Sequence, residues 1–233
     1  MKIRLCIIMI TLIAFSVVKL NAQVHLGVEL GMNVSSLAIK SNSHNVDVAG
    51  GLSVDYLFNN GVMLQSGLYY SSKGASGLWD QYNYSSELRQ ADIHLGYIEL
   101  PLMVGYRIPV MNNVYLVPAA GIYFACGVAG YGEIDAIVSN SEGYARGSER
   151  WDNPYKDLKW DWLADTEIKA FDRFDSGLRF GLSGEISRFV VSFTYDLGLK
   201  KIWSGFDTES YNTSTHKMKN RTGCISIGYK FSL

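Results

Sequence analysis

Eight stretches of this 233-residue chain alternate apolar and polar residues with a period of two. On each, one side is mainly Leu, Val, Ile, Phe or Tyr, and the other is rich in glycine, serine and charge. Phe189, Val191, Phe193, Tyr195, Leu197 and Leu199, for example, alternate with Val190, Ser192, Thr194, Asp196, Gly198 and Lys200. Period-two alternation is the signature of a strand with two unlike faces. It predicts strands over roughly 24–38, 47–58, 62–73, 93–107, 113–128, 174–186, 189–200 and 219–232.

The connections order these strands. Asn59-Asn60-Gly61 and Ser187-Arg188 are hairpin turns, with Gly61 able to take the left-handed conformation such a turn needs. A few residues around Pro109 and Asn113 make a third short link. The remaining connections, about 39–46, 74–92, 129–173 and 201–218, are long. Strict alternation of short and long links is the pattern of an even antiparallel up-and-down barrel. The charges fix its solvent. An eight-stranded interior is narrow, and here the minority face carries Glu29, Asp55, Glu99, Arg107, Arg179, Glu185, Asp196 and Lys230. Small and charged residues inside, with large apolar residues outside, fit lipid as the outer solvent. The expected fold is therefore an all-β, eight-stranded antiparallel transmembrane β-barrel with short periplasmic turns and long extracellular loops. Pro101 and Pro118 fall within strands and predict a bulge or locally broken pairing.

The N-terminus agrees. Lys2 and Arg4 precede an apolar run from Leu5 to Val18, and Lys19-Leu20-Asn21-Ala22 ends in a small residue. This order reads as a secretory signal peptide over 1–22, leaving 23–233 as one barrel domain. The apolar run is short for a permanent membrane helix. Removing Lys2, Arg4 and Lys19 shifts the net charge from −1 to −4, which argues against a nucleic-acid partner. Cys126 and Cys224 would remain, too few for a disulfide framework.

Several segments resemble the Bacteroidetes-type outer-membrane β-barrel family, which includes PorT-like proteins. They are Gly96-Tyr97-Ile98-Glu99-Leu100-Pro101-Leu102-Met103-Val104-Gly105-Tyr106, Gly67-Leu68-Tyr69-Tyr70-Ser71-Ser72-Lys73-Gly74, Asp175-Ser176-Gly177, Tyr195-Asp196-Leu197-Gly198-Leu199 and Ile227-Gly228-Tyr229-Lys230-Phe231. The resemblance implies a barrel in the bacterial outer membrane. Some PorT-like members assist protein secretion or gliding, so it also allows an envelope or secretion protein as partner.

The inward charges admit two readings, a structural plug or a selectivity filter or proton path, and the plug is favoured. If Ser187-Arg188 is a two-residue turn, Arg179 faces Asp196, and a buried pair of this kind needs both members. Catalysis is not expected. His25, His44, His94 and His216 are scattered and lie in no nucleophile motif, and no metal or cofactor motif appears. Trp79 and Trp203 lie near strand ends, where a headgroup girdle is expected. Trp151, Trp160 and Trp162 lie deep in the 130–172 connection, which carries ten acidic residues against five basic ones. That segment reads either as a recognition surface or as a solvated loop bridging divalent cations, with a short amphipathic helix over 156–170. The expected protein is a monomeric, non-enzymatic outer-membrane barrel in contact with outer-membrane lipid, with loops that adhere or touch another envelope component. A porin-like channel for small solutes and a lipid-modifying enzyme are the alternatives.

Overall fold

The computed structural model describes residues 23–37, 45–76, 80–83, 86–140, 143–160, 166–168, 170–202, 206–207 and 219–232. The expected leader and Trp79, Trp162 and Trp203 lie outside them. Eight strands form the wall: β1 (Gln23–Leu37), β2 (Asn45–Leu57), β3 (Val62–Ala75), β4 (Ser86–Tyr106), β5 (Val114–Asn140), β6 (Phe174–Ile186), β7 (Phe189–Gly198) and β8 (Asn220–Ser232). Each pairs antiparallel with its chain neighbours, and β1 closes on β8 from His25↔Ser232 to Leu37↔Asn220. A closed wall leaves no unpaired backbone edge, the condition for a sheet to cross hydrocarbon.

The two faces are inverted relative to a water-soluble barrel. Leu30 is 72% exposed on the outside and Ile227 66%, whereas Asp55, Glu99 and Asp196 are buried within. Turn chemistry holds the register. Gly61 has φ +86° and closes the β2–β3 hairpin, with Phe58 N donating to Val62 O at 2.9 Å. Ser187 takes φ +56° in the two-residue turn that sets Ile186 opposite Phe189 and Arg179 opposite Asp196.

Both prolines interrupt a ladder without shifting it. The β3–β4 pairing runs to Ser66↔Leu102 and resumes at Tyr69↔Glu99, skipping Pro101, which has no N–H to donate. Ser66 Oγ donates to the Pro101 carbonyl at 2.8 Å instead. The β4–β5 ladder stops at Gly105↔Ala119, beside Pro118, and pairing resumes between Ile108–Met111 and β5 at Ile108↔Leu116.

Two expectations need correction. The segment beyond 129 is not a loop from its start. β5 runs on to Asn140, β4 begins at Ser86 rather than near 93, and Gly143–Trp151 returns along β5 from Asn140↔Gly143 to Gly132↔Trp151. The β-branched Ile134, Ile137 and Val138 favour this extended backbone. Nor do the described residues of 156–170 form a helix. Leu158–Trp160 and Thr166–Ile168 pair antiparallel, with Phe206–Asp207 on the latter's far side. The apolar spacing there is too broken for a helical stripe.

A closed barrel of this kind resists detergent. Unboiled protein should migrate differently from boiled protein on a denaturing gel and give strand-type circular dichroism; a helix-dominated spectrum would be incompatible with the fold.

Candidate functional site

Inward-pointing residues cross the lumen in two charged layers. Near the short turns, Lys230 Nζ lies 2.6 Å from both Asp55 Oδ2 and Glu185 Oε1, and Arg107 Nε donates to Glu185 Oε2 at 2.7 Å. The Arg107 guanidinium also lies 3.6 Å from the centre of the Tyr115 ring. Deeper in, Arg179 donates to Asp196 through Nε at 2.6 Å and through Nη2 at 2.7 Å, and reaches Glu99 at 2.5 Å. Lys73 Nζ closes the ring, 2.6 Å from Glu99 and 2.9 Å from Asp196. Lys73 on β3 and Asp196 on β7 stand on opposite walls, so this bond spans the lumen. Each layer holds two cations and two anions and is therefore neutral. The Tyr123 ring lies against both cations of the inner layer, 4.6 Å from Lys73 Nζ and 5.4 Å from the Arg179 guanidinium carbon.

Glu29 stands outside both layers. Its carboxylate accepts from Tyr69 and Ser226 hydroxyls, each at 3.2 Å, beside a cavity of about 90 Å³. The Tyr69 ring can lie flat against the wall only because two neighbours are glycine. A Cβ at Gly51 would sit 2.7 Å from its Cδ1, and one at Gly67 2.6 Å from its Cε2. A space of this size holds a few waters and is bounded by Arg179 and Asp196 on one side and Asp55 on the other. Above the inner layer, Asp175 accepts from Tyr123 Oη at 3.0 Å and from Asn220 Nδ2 at 2.8 Å.

The long-loop mouth is filled by an apolar cap. Asn153-Pro154-Tyr155-Lys156 is a turn with proline at its second position, closed by Lys156 N donating to Asn153 O at 3.0 Å. It drops Tyr155 onto the wall, where the hydroxyl donates to Gly96 O at 3.3 Å. Gly127 makes this seat possible, since a Cβ there would meet the Tyr155 ring at 2.2 Å. Trp151, Phe171 and Ile202 are buried, as are Ile93, Leu95 and Tyr97 of β4, and the Trp151 and Phe171 ring centroids are 5.7 Å apart.

All eight inward charges named from the sequence point into the lumen; seven join the two layers and Glu29 stands apart. Sequence reasoning missed Lys73, Tyr123 as a cation partner, and Asp175, although residue parity places all three inward. Trp151, expected on an exposed contact surface, is 2% exposed, and its indole N–H donates to Lys156 O at 3.0 Å. It anchors the cap because an indole buried among apolar groups needs one acceptor and finds it in the turn. Trp160 lies on the short strand Leu158–Trp160, and Trp162 is outside the described residues. His94, at the rim, meets Asp47 at 3.1 Å and stacks on Tyr131. Among the described residues no group of three His, Cys, Asp or Glu is placed to hold a metal.

The inner layer makes a stability prediction. Arg179→Met leaves Glu99 and Asp196 sharing Lys73 alone and should cost about 3–5 kcal/mol. Adding Glu99→Gln restores neutrality and should recover part of that loss, measured by urea unfolding from lipid vesicles. Strictly additive costs would show that the two residues do not act together.

The comparisons with known proteins concern the whole barrel. Residues 19–204 match the family model described as "Outer membrane protein beta-barrel domain". No curated protein is similar enough in sequence to count as a match. Among solved structures, the chain is similar to Ail, the attachment invasion locus protein of Yersinia pestis, solved in complex with the heparin analogue sucrose octasulfate. The identity is 14%, the coverage 90% of this chain and 99% of Ail, and the TM-score 0.39. It is also similar to Neisserial surface protein A (11% identity, 91% and 99% coverage, TM-score 0.42). A third is the N-terminal β-barrel domain of Pseudomonas aeruginosa OprF (12% identity, 88% and 97% coverage, TM-score 0.33). The family match covers most of the chain, including seven of the eight strands, and the chain belongs to the outer membrane protein beta-barrel domain family.

Proposed function

We propose that this protein is a non-enzymatic, non-conducting outer-membrane barrel that works through the part of its sheet standing above the membrane, by adhesion or by contact with another envelope or secretion component. The observation that carries the reading is the length of β5. A tilted strand needs about 9–11 residues to cross a bilayer, and β5 has 27. Its outward apolar residues run from Leu116 to Tyr131, and beyond them the described exposed residues of the sheet turn polar, as at Glu133, Arg150 and Asp152. The upper halves of β4 and β5, with Gly143–Trp151, make an ordered sheet that the membrane does not require. Support for the non-conducting part comes from the two neutral layers and the cap, which leave the lumen crossed at three levels.

A channel is the competing reading, and conductance separates the two. Purified protein in planar bilayers should give no steady open level; well-resolved ion-selective steps abolished by substitution at Glu99 or Arg107 would replace this reading with a pore.

The protruding hairpin can be shortened without touching the cap. Replacing residues 136–147 with Asn-Gly, between the facing Asp135 and Ser148, should leave insertion and the gel heat-shift intact. The shortened protein should lose its adhesion phenotype or its crosslinked envelope adducts in whole cells. Full retention of both would remove the hairpin from the function.

A further inference from the structure

The outer rim is electrically lopsided. At the short-turn end Arg188 is the one charged residue on the outer surface among the described residues, and it already bonds the Tyr229 hydroxyl at 3.3 Å. At the long-loop end, the protruding β4–β5 sheet carries acids as well as bases, while the β7–β8 wall collects cations. Arg221 is exposed on the outward face of β8, opposite Leu197 of β7 and Ser36 of β1. Lys219 lies two residues above it with the same parity. Among the described residues neither has an acidic partner, whereas nearby Lys200 sits 3.3 Å from Asp172.

The wall below these cations is shaped as well as apolar. Gly223 follows Arg221 on the outward face, between Tyr195 and Val34. A Cβ there would meet only the edge of the Phe193 ring at 3.8 Å and a carbonyl at 4.0 Å, so a slot is open beneath the guanidinium. Continuing down β8, Ile225 is exposed between Phe193 of β7 and Met32 of β1, both also exposed, and extends an apolar track below the slot. A cationic pair in the headgroup zone above a slot and an apolar track matches a molecule with an anionic head and acyl chains.

We propose that the β7–β8 wall binds a phosphorylated glycolipid of the outer leaflet, with its phosphate on Arg221 and Lys219 and an acyl chain lying over Gly223 and along Ile225. The glycolipid is chosen over a phospholipid because the cations stand at the long-loop end, which faces the outer leaflet in a barrel of this topology. Uncompensated cations attract anionic headgroups at a membrane surface and lose that attraction within a Debye length. The binding is therefore specific to lipid seated directly at the rim.

The test uses the full folded protein in zwitterionic detergent, with bound lipid read by native mass spectrometry. The probes are bisphosphorylated lipid A, the same lipid with its phosphates removed, and phosphatidylglycerol. The phosphorylated glycolipid should bind best, and Lys219→Gln with Arg221→Gln should weaken it by about tenfold or more. Arg188→Gln, at the opposite rim, should change nothing. Both substituted residues lie outside the lumen network, so the gel heat-shift should persist; Gly223→Leu, which fills the slot, provides a second and independent loss. Equal binding of the dephosphorylated lipid, equal binding of phosphatidylglycerol, or unchanged affinity in both the double variant and Gly223→Leu would overturn the proposal.

Discussion

A charge inside a closed eight-stranded barrel must find its counter-charge, or neutral hydrogen-bond donors, inside the barrel. The wall's own hydrogen bonds are taken up by the ladders, lipid lies outside, and water is confined to a small cavity. Lys73, Glu99, Arg179 and Asp196 answer this by forming a ring in which every member touches two opposite charges. The ring joins β3, β4, β6 and β7, so the lumen is held by bonds perpendicular to the sheet as well as within it. Replacing such a network with apolar residues can be neutral or stabilising, while orphaning one member is costly. The ring therefore specifies one arrangement of the four strands more firmly than it adds net stability.

What could be read in the sequence was whatever depends on local period and turn length. A two-residue turn at Ser187-Arg188 leaves one register for β6 and β7, and with it Arg179 opposite Asp196 and Phe180 opposite Tyr195. Lys73 was within reach by the same logic. Val62, Leu64, Leu68 and Tyr70 face outward, so residue 73 faces inward, but it stands at the last position of the expected strand and was not counted among the inward charges. The limit of β5 has a clear physical cause. Pairing passes from Tyr97↔Gly127 to Gly96↔Ala129, a one-residue bulge at Val128. A bulge reverses which parity faces outward. Before it Ile122 and Phe124 point out, and after it Tyr131 and Glu133 do. A rule based on unbroken alternation stops at such a point and takes the rest for a loop.

The cap was illegible for a different reason. Trp151, Tyr155, Phe171 and Ile202 have no common period and come together only because the wall offers places to sit. Tyr155 rests where Gly127 has no side chain, and Phe171 hangs from the Pro154 carbonyl by its amide at 2.7 Å. An aromatic in a long polar connection can equally be a contact residue or a buried anchor. For Tyr155 the choice is made by Gly127, a residue distant in sequence.

The cap and the inner ring close the same lumen by different means. Tyr123 extends the ring toward the long-loop mouth, since its ring faces Lys73 and Arg179 while its hydroxyl donates to Asp175, which Asn220 also holds. Tyr97 packs edge-on to Tyr155 at 6.1 Å, joining the cap to the same wall. Opening the mouth at Tyr155 would remove the edge-on partner of Tyr97 but leave the ring bonds intact, whereas displacing Arg179 would remove a cation from the face of Tyr123. The charged ring therefore holds without the cap, and the cap is seated on the wall by Gly96 and Gly127 rather than by charge.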